Sequence, residues 1–393
     1  MPTNLARVSV LVGLCTAVPV WAVYAPIPEP EQGQELTVTV LGSVYHDSNI
    51  FGAPSGAISS MVFEVAPKID FNASLTAQTF ASAYYRAAID HYENRPGDKT
   101  LVSHDLYARL AHAFSPVTTL DLHENYVINQ NPQSLLSGVT VNTDQSYKSN
   151  EFGGKYQTAL GPRLGSEVKF NTLVYRYDDA SLAASIDHTE NLYGLALFYD
   201  LVPELMAVGE FRHQDILYRT LGDFKDKHTN FLIGGVDYAV AKTLKARILL
   251  GHQWRDREGA ESSQAPYAEL SMKYDYAESS FVSAGYVYTY EETTNQALYN
   301  DTLVNRIFFN VQHALSPLLV ASAAVTYEPS ELQSRGGKPD VAETTTRIGL
   351  ALTYTPTKNW RATASFDYDN IDSDDPSRGQ NRERVGVSAT YSF

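Results

Sequence analysis

The chain is poor in cysteine and in long hydrophobic runs. Its single cysteine, Cys15, lies in an N-terminal segment that we expect to be removed, so the mature chain offers no disulfide, thiolate metal site, iron–sulfur cluster or covalently bound haem. After residue 22 no stretch reaches about 18 consecutive apolar residues, which excludes membrane-spanning helices. The formal net charge of −15 argues against nucleic acid as a partner.

Sequence motifs for catalysis or cofactor binding are also missing. The ten histidines show no zinc-binding spacing, and the chain has no glycine-rich phosphate loop and no Gly-x-Ser-x-Gly elbow. The sequence therefore predicts no enzyme, no cofactor and no metal site. One weak alternative is an acid–base pair at a rim of the fold, His46 with Asp47 or His252 with Asp256. Isolated histidines of this kind are far more often solvated.

The first 22 residues have the layout of a signal peptide. Arg7 supplies the positive charge, residues 8–20 form an apolar core that is too short for a membrane anchor, and Val20-Trp21-Ala22 is a small-x-small cleavage site. We expect cleavage after Ala22, followed by a short periplasmic segment at 23–34. An exported chain without disulfides or helical spans belongs in the periplasm or the outer membrane.

The last nine residues form the clearest strand pattern in the chain. Apolar side chains alternate with small polar ones: Val385, Val387, Ala389, Tyr391 and Phe393 against Gly386, Ser388, Thr390 and Ser392. A period of two indicates an extended strand with one apolar face, as a barrel between lipid and water requires. The terminal aromatic residues Tyr391 and Phe393 also resemble the assembly signal of bacterial outer-membrane barrels, which implies contact with the barrel-assembly machinery.

Similar segments recur about every 20 residues along the chain, which is wider than the spacing typical of a sandwich. The pattern predicts eighteen strands, near 35–45, 60–71, 78–91, 101–114, 117–128, 146–160, 164–178, 187–201, 205–218, 229–241, 244–256, 266–277, 280–291, 302–315, 318–328, 343–356, 359–370 and 383–393. The faces of 164–178 and 187–201 cannot be assigned, because these two segments alternate poorly.

The connections alternate strictly between tight turns and long polar loops. The predicted turns are 72–76, 115–116, 161–163, 202–204, 242–243, 278–279, 316–317 and 357–358, and the long loops include 45–59, 128–145, 256–265, 328–342 and 371–382. Short turns on one rim and long loops on the other are typical of an outer-membrane barrel, whose short side is periplasmic. With both termini on the short side, the number of strands must be even.

Alternation alone does not separate a barrel from a soluble sandwich, but the aromatic residues favour a barrel. The chain has 26 Tyr, and Tyr and Trp cluster at strand ends, as the girdles at bilayer interfaces do. The faces opposite the apolar ones carry ten basic and eleven acidic residues. Facing lipid at the midplane, each Arg or Lys would cost roughly 2–4 kcal/mol. We therefore expect these charged residues to line a pore. The pore-lining candidates are Lys68, Arg86, Arg109, Glu210, Arg247, Glu269, Lys273, Arg306, Arg347, Arg361, Asp367 and Arg384.

Two features of the loops suggest roles at the pore mouth. The tip of the longest loop, 128–145, is apolar, so we expect Leu135, Leu136, Gly138 and Val139 to fold into the lumen as a constriction. Acidic residues are common in the predicted loops: Glu258, Glu261, Glu291, Glu292, Asp301, Glu328, Glu331, Asp340, Asp372, Asp374 and Asp375. The simpler interpretation is solvated loop tips. The alternative is a bridge through divalent cations to lipopolysaccharide.

Residues 45–51 read Tyr-His-Asp-Ser-Asn-Ile-Phe, and a second strand carrying Pro67 follows shortly after. This segment resembles the N-terminal signature of the putative β-barrel porin type 2 family, which includes proteins from exopolysaccharide operons. The resemblance implies an outer-membrane barrel and no particular activity. Asp47-Ser48-Asn49 could form a simple turn at the rim, or could line the pore or bind a cation.

The sequence thus predicts that 35–393 form an all-β, transmembrane, antiparallel up-and-down barrel of about 18 strands, surrounded by outer-membrane lipid and lipopolysaccharide. The expected function is passive passage of hydrophilic solutes. A port for a secreted exopolysaccharide and a structural barrel around a partner protein remain as alternatives. Phe281, Phe308 and Tyr84, the inward aromatic candidates for a sugar path, are too few to decide. The oligomeric state stays open.

Overall fold

The computed structural model describes residues 34–130, 146–293 and 298–393, which form one closed antiparallel sheet. Its eighteen strands are β1 (Leu36–Asp47), β2 (Ser60–Thr76), β3 (Thr79–Tyr92), β4 (Thr100–Ser115), β5 (Thr118–Asn129), β6 (Tyr147–Ala159), β7 (Leu164–Tyr177), β8 (His188–Val202), β9 (Leu205–Tyr218), β10 (Lys227–Ala241), β11 (Leu244–Arg257), β12 (Ser263–Ala277), β13 (Ser280–Glu291), β14 (Tyr299–Ser316), β15 (Leu319–Ser334), β16 (Val341–Tyr354), β17 (Trp360–Ser373) and β18 (Gln380–Ser392).

Each strand pairs with its neighbours along the chain, and β1 also pairs with β18. This pairing closes the sheet and leaves no free edge, which is the condition for a β-structure to cross a bilayer. At the closure the backbone N–H of Phe393 donates to the carbonyl oxygen of Val38 at 2.9 Å. The two chain ends of the barrel therefore meet at the rim that carries the short turns.

The strands form as they do because apolar side chains alternate with polar ones, and the apolar face points outward. On β18, for example, Val385 and Val387 are 53% and 62% exposed on the outer surface. Arg382, nearer to the long-loop rim on the same strand, points to the other face and is buried. We use "inner face" for the face of the wall opposite to these exposed apolar side chains. An apolar outside and a charged inside are the reverse of a soluble protein.

The predicted fold class, the number of strands and the alternation of short and long connections are confirmed. One predicted turn is wrong: residues 72–76 belong to β2, and the turn lies at Ala77-Gln78. The long loops are also shorter than predicted, because β14, β15, β17 and β18 continue beyond the apolar band. Polar residues that resemble a loop in sequence there continue the backbone ladder.

Two short helices were missed by the sequence analysis, α1 (Ala180–Ile186) and α2 (Gly222–Lys225), and both lie in connections on the long-loop rim. Asp179 caps α1, since its carboxylate accepts hydrogen bonds from the backbone N–H groups of Ser181 and Leu182, each at 2.9 Å. Among the described residues, no helix is long and apolar enough to span a membrane.

Candidate functional site: the inner wall and its cavity

All twelve pore-lining candidates lie on the inner face of the barrel. Most of them form ion pairs with residues of the same or the adjacent strand. On β3 and β4, Arg86 lies 2.8 Å from Glu64, and Arg109 lies 2.8 Å from Asp121. Further ion pairs on the inner wall are Lys68–Asp70, Arg247–Asp237, Lys273–Asp275 and Arg384–Asp369, at 2.5, 3.4, 2.7 and 3.0 Å. The inner wall is thus charged but locally neutralised.

Glu210 is the most buried of these candidates. Its carboxylate accepts two hydrogen bonds from the guanidinium of Arg212, at 2.7 and 2.9 Å, and is also ion-paired with Lys169. The Arg212 guanidinium lies 5.6 Å from the ring centre of Tyr267, whose hydroxyl donates to Glu269. Two carboxylates, Glu210 and Glu269, therefore face two cations, Lys169 and Arg212, and this part of the wall is charged but balanced. Sequence analysis missed Lys169, because the face of 164–178 could not be assigned.

A cavity of about 470 Å³ opens inside the barrel near the long-loop rim. It is lined by aromatic, acidic and basic side chains from eight strands and one loop: Tyr175, Tyr177, His188, Glu190, Gln214, Tyr218, Arg255, Tyr290, Glu291, Glu292, Arg306, Glu328 and Arg347. Such a mixture suits a ligand that has both ring faces and hydrogen-bonding groups. The cavity is the candidate functional site.

One side of the cavity carries closely packed aromatic rings. The ring centre of His188 lies 5.2 Å from that of Tyr175 and 5.5 Å from that of Tyr218, and Tyr147 packs against Tyr175 and Tyr177. His188 is held in place by the Ile186 carbonyl oxygen at 2.6 Å and by Glu190 at 3.1 Å. A further pair, Tyr84 and Tyr107, stacks at 5.3 Å on another part of the inner face. The expectation of only three inward aromatic candidates was therefore wrong.

The opposite side of the cavity is electrostatic. The Arg306 guanidinium lies between two carboxylates, 2.9 Å from Glu291 and in direct contact with Glu328. Arg347 lines the cavity beside them. Because both glutamates are inner-wall residues of β13 and β15, the interpretation of Glu291 and Glu328 as solvated loop tips is wrong.

Asp301 lies in the most charged part of the interior and is fully buried. Lys227 and Arg255 approach its carboxylate at 3.1 and 2.5 Å, and Arg257 contacts it directly. A β-bulge between Tyr299 and Thr302 interrupts the alternation of β14 next to Asp301. The sequence pattern placed Asp301 in an exposed loop. Its inward direction and its three cationic partners were therefore not predicted.

Two ionisable side chains in connections on the long-loop rim, Lys225 and Asp375, contact their neighbours closely. Burial lowers the pKa of Lys225 in α2, and the neighbouring Arg335 guanidinium lowers it further. Burial opposes ionisation of Asp375, but hydrogen bonds from Ser377 and from the Tyr299 hydroxyl hold the pKa of that carboxyl below its ordinary value. These loops therefore have defined contacts with the barrel.

The segment 45–51 has a structural role. Asp47 is fully buried and accepts hydrogen bonds from Arg382 and from the backbone N–H of Asn49. The Asn49 side chain bonds to both backbone groups of Ala53, which closes the turn, and Ile50 packs among Val62, Tyr92 and Leu101. Because its carboxylate is already bound, Asp47 forms no acid–base pair with His46. At the other proposed rim pair, Asp256 accepts a hydrogen bond from Ser262.

The remaining site predictions have different outcomes. Leu135, Leu136, Gly138 and Val139, the constriction candidates, lie outside the described residues. The Tyr391 ring packs between Trp360 and Phe393, at 4.9 and 4.8 Å between ring centres. The role of Tyr391 and Phe393 as an assembly signal stays a prediction. The passage of solute along the inner wall also stays a prediction.

Comparison with known proteins assigns the family. The family model described as Putative beta-barrel porin 2 matches residues 37–393. The chain belongs to this family. The resemblance seen in the sequence is thereby confirmed, and the description of the family is that of a β-barrel porin. No curated protein matches the sequence.

Solved outer-membrane barrels share the fold. OccAB2 of Acinetobacter baumannii aligns with a TM-score of 0.52 at 11% identity, over 91% of this chain and 98% of that chain. The outer membrane protein opdK from Pseudomonas aeruginosa aligns at 0.51 and 11% identity, over 91% and 99%. OpdK in a structure with vanillate aligns at 0.50 and 9%, over 91% and 99%. Identities this low show the fold alone. Family and fold together place this porin-like barrel in the bacterial outer membrane, as predicted.

Proposed function

We propose that the chain forms a water-filled channel for the passive passage of hydrophilic solutes, and that no bond is made or broken in it. The observation that carries this proposal is the charged inner wall of a closed eighteen-stranded barrel. Twelve predicted candidates all lie on that wall, and barrels of this size have a lumen wide enough for water. Selectivity then comes from lumen width and charge.

The pairing of the inner charges supports passage rather than tight capture. Paired charges such as Arg109 with Asp121 present small local dipoles, which hydrate a lumen without holding an ion of one sign. A solute that binds weakly at several such places enters and leaves quickly. The channel therefore fits neutral or weakly charged hydrophilic solutes.

The aromatic side of the cavity favours a second candidate, a port for a secreted exopolysaccharide. Tyr175, Tyr177 and Tyr218 lie together beside Glu190 and Gln214, so apolar ring faces alternate with hydrogen-bonding groups. Sugars combine apolar faces with hydroxyl groups, and this arrangement complements both. Vanillate, the compound named with OpdK, is an aromatic carboxylate, and a cavity with tyrosine rings and Arg347 suits that class as well.

Single-channel recording in planar bilayers tests both candidates. The channel proposal requires stable open conductance of the purified protein, and a closed barrel that carries a co-purifying protein would overturn it in favour of a scaffold. The polysaccharide proposal requires that oligosaccharides added on the long-loop side block the current.

Matched variants assign that block to the cavity. Tyr218→Ala removes a ring from the aromatic side, and we expect it to weaken the block several-fold. Tyr193→Ala is the control, since Tyr193 lies on the outer face of β8 and is half exposed. Equal block of both variants by oligosaccharide would show that the cavity is not the polysaccharide site. Open conductance without any block would contradict the polysaccharide proposal and support the channel proposal.

A further inference from the structure

Three metal-ligating side chains meet on the outer face of the barrel, away from the lumen. His213 and Asp215 are two residues apart on β9, so both point outward, and His228 of β10 lies directly opposite Asp215 in the strand register. One nitrogen of each histidine and one carboxylate oxygen lie within 4.8 Å of one another. The cluster is independent of the proposed channel function.

The contacts of His213 leave a place for a cation beside Asp215. Its Nδ1 lies 2.8 Å from Oδ1 of Asn230, which can only accept, so Nδ1 carries the hydrogen. In a neutral imidazole the other nitrogen, Nε2, then presents a lone pair to Asp215 Oδ1 at 2.9 Å. Two lone pairs at that distance repel each other, and a proton or a metal ion between them removes the repulsion.

The same contacts resemble the surroundings of histidine ligands in metalloproteins. Such a histidine usually donates its second ring nitrogen to an oxygen, which fixes the tautomer and aims the free nitrogen at the metal. Asn230 does this for His213. The Asp215 oxygen lies 2.6 Å from Nδ1 of His228, so a single carboxylate faces both rings.

We propose that His213, Asp215 and His228 bind a divalent transition-metal ion such as Zn²⁺. With bonds of about 2.0–2.1 Å, the ligand atoms of a tetrahedral zinc site lie roughly 3.4 Å apart. The ligand atoms lie within 4.8 Å of one another. A separation of that size exceeds the zinc spacing by about 1.4 Å, which side-chain rotation supplies. Two imidazoles and a carboxylate select zinc, copper, nickel or cobalt over Mg²⁺ and Ca²⁺, which prefer oxygen ligands.

The position of the cluster leaves the fourth coordination site open. The histidine side chains are 36% and 41% exposed, so water reaches the metal position. Below the cluster on the same strands lie the exposed apolar Phe211 and Leu232, and Trp254 stands opposite Asn230 on β11. Tryptophan marks the membrane interface, so the metal position lies at the level of the outer-leaflet headgroups.

Isothermal titration of the folded, chelator-treated barrel with Zn²⁺ tests the proposal. We expect one saturable site per chain in the wild type and no comparable binding of Mg²⁺. His228→Gln and Asp215→Asn should each weaken Zn²⁺ binding at least tenfold. His252→Gln is the matched control, since His252 also lies on the outer face of the adjacent strand but contacts Gln264 and Trp254 instead.

Each result decides for or against the site. No saturable Zn²⁺ binding by the wild type would overturn the proposal, as would an equal loss in the His252 control, which would indicate scattered surface histidines. Asn230→Ala provides a second measurement, because it removes the group that orients His213 but no ligand, and it should weaken Zn²⁺ binding several-fold. Heat-modifiable mobility on gels verifies that every variant is folded.

Discussion

Asp47 and Arg382 are separated by 335 residues in the sequence and form a buried, bidentate ion pair across the closure of the barrel. The Nε of Arg382 lies 3.1 Å from each oxygen of the carboxylate, and its Nη2 contacts Oδ2. The side chains are 0% and 1% exposed. This pair links the end of β1 to the beginning of β18, and the same carboxylate accepts a hydrogen bond from the backbone N–H of Asn49 in the first loop.

We expect Asp47→Asn to destabilise the barrel by about 3–5 kcal/mol, because it leaves the guanidinium of Arg382 buried without a compensating charge. Urea unfolding of the protein in lipid vesicles, followed by tryptophan fluorescence, measures the loss. Arg86→Ala is the control: its ion pair with Glu64 is far more exposed, so it should cost at most about 1 kcal/mol. Equal losses would contradict a special role for the closure pair.

Replacement of Phe393 separates assembly from stability. The sequence predicts that the terminal aromatic ring is an assembly signal, so we expect Phe393→Asp to remain unfolded in the periplasm. The ring is 68% exposed and the bond to Val38 uses only the backbone, so refolding of the same variant into vesicles should be nearly unchanged. Heat-modifiable mobility reports both. Normal folding of the variant in cells would disprove the signal.

Ion selectivity should respond to a charge that is not already neutralised. The charges on the wild-type inner wall nearly cancel, whereas acidic loop residues such as Glu261, Asp340 and Asp374 lie at the mouth and attract cations. We therefore expect weak cation preference at low salt that fades in molar KCl. Arg361 is exposed on the inner face of β17 and has no ion-pair partner among the described residues. Arg361→Glu should therefore increase cation preference, measured as reversal potential across a KCl gradient.

The salt dependence identifies this effect as electrostatic. Screening acts over roughly 10 Å at 0.1 M and 3 Å at 1 M, so the change caused by Arg361→Glu should shrink at high salt. Lys358→Glu makes the same change in charge in the turn that precedes β17. An equal shift from that control would mean that charge at the rim, rather than on the inner wall, sets the selectivity.

The constriction proposal concerns the loop between β5 and β6. Its apolar tip led us to expect that it folds into the lumen. Deletion of residues 133–141 should then raise single-channel conductance several-fold. Shortening the loop between β15 and β16 at Gly336-Gly337 is a suitable control, and we expect it to change conductance little. Unchanged conductance after the first deletion would place the loop elsewhere.

The fold could be predicted because a lipid-facing wall requires apolar and polar residues to alternate strictly. That alternation can be recognised in the sequence of each strand by itself. The faces of β7 and β8 could not be assigned, since the inner face there also carries apolar side chains, such as Tyr175 and Phe198. Turn formers at 72–76 were misleading for another reason: outside the bilayer a strand continues with polar residues, and its sequence then resembles a loop.

The candidate site was harder to predict than the fold. The inward direction of each charged wall residue can be predicted from the alternation within its own strand. The cavity, however, combines Tyr175 with Arg306 and Arg347, which lie on distant strands and come together only in the closed barrel. The same holds for Asp301, whose inward direction depends on a bulge that local sequence does not indicate. The pairing of His213 with His228 also requires the register of β9 against β10.

Because the last residue contacts the first strand, the protein is suited to circular permutation. Since Phe393 and Val38 are hydrogen-bonded neighbours, a short linker could join the two ends, and new ends could be opened in the turn at Lys242-Thr243. Such a circular permutant would keep every strand neighbour of the native wall. It would end on a different strand, so its folding in cells would test whether assembly depends on the native terminal strand or on the complete barrel.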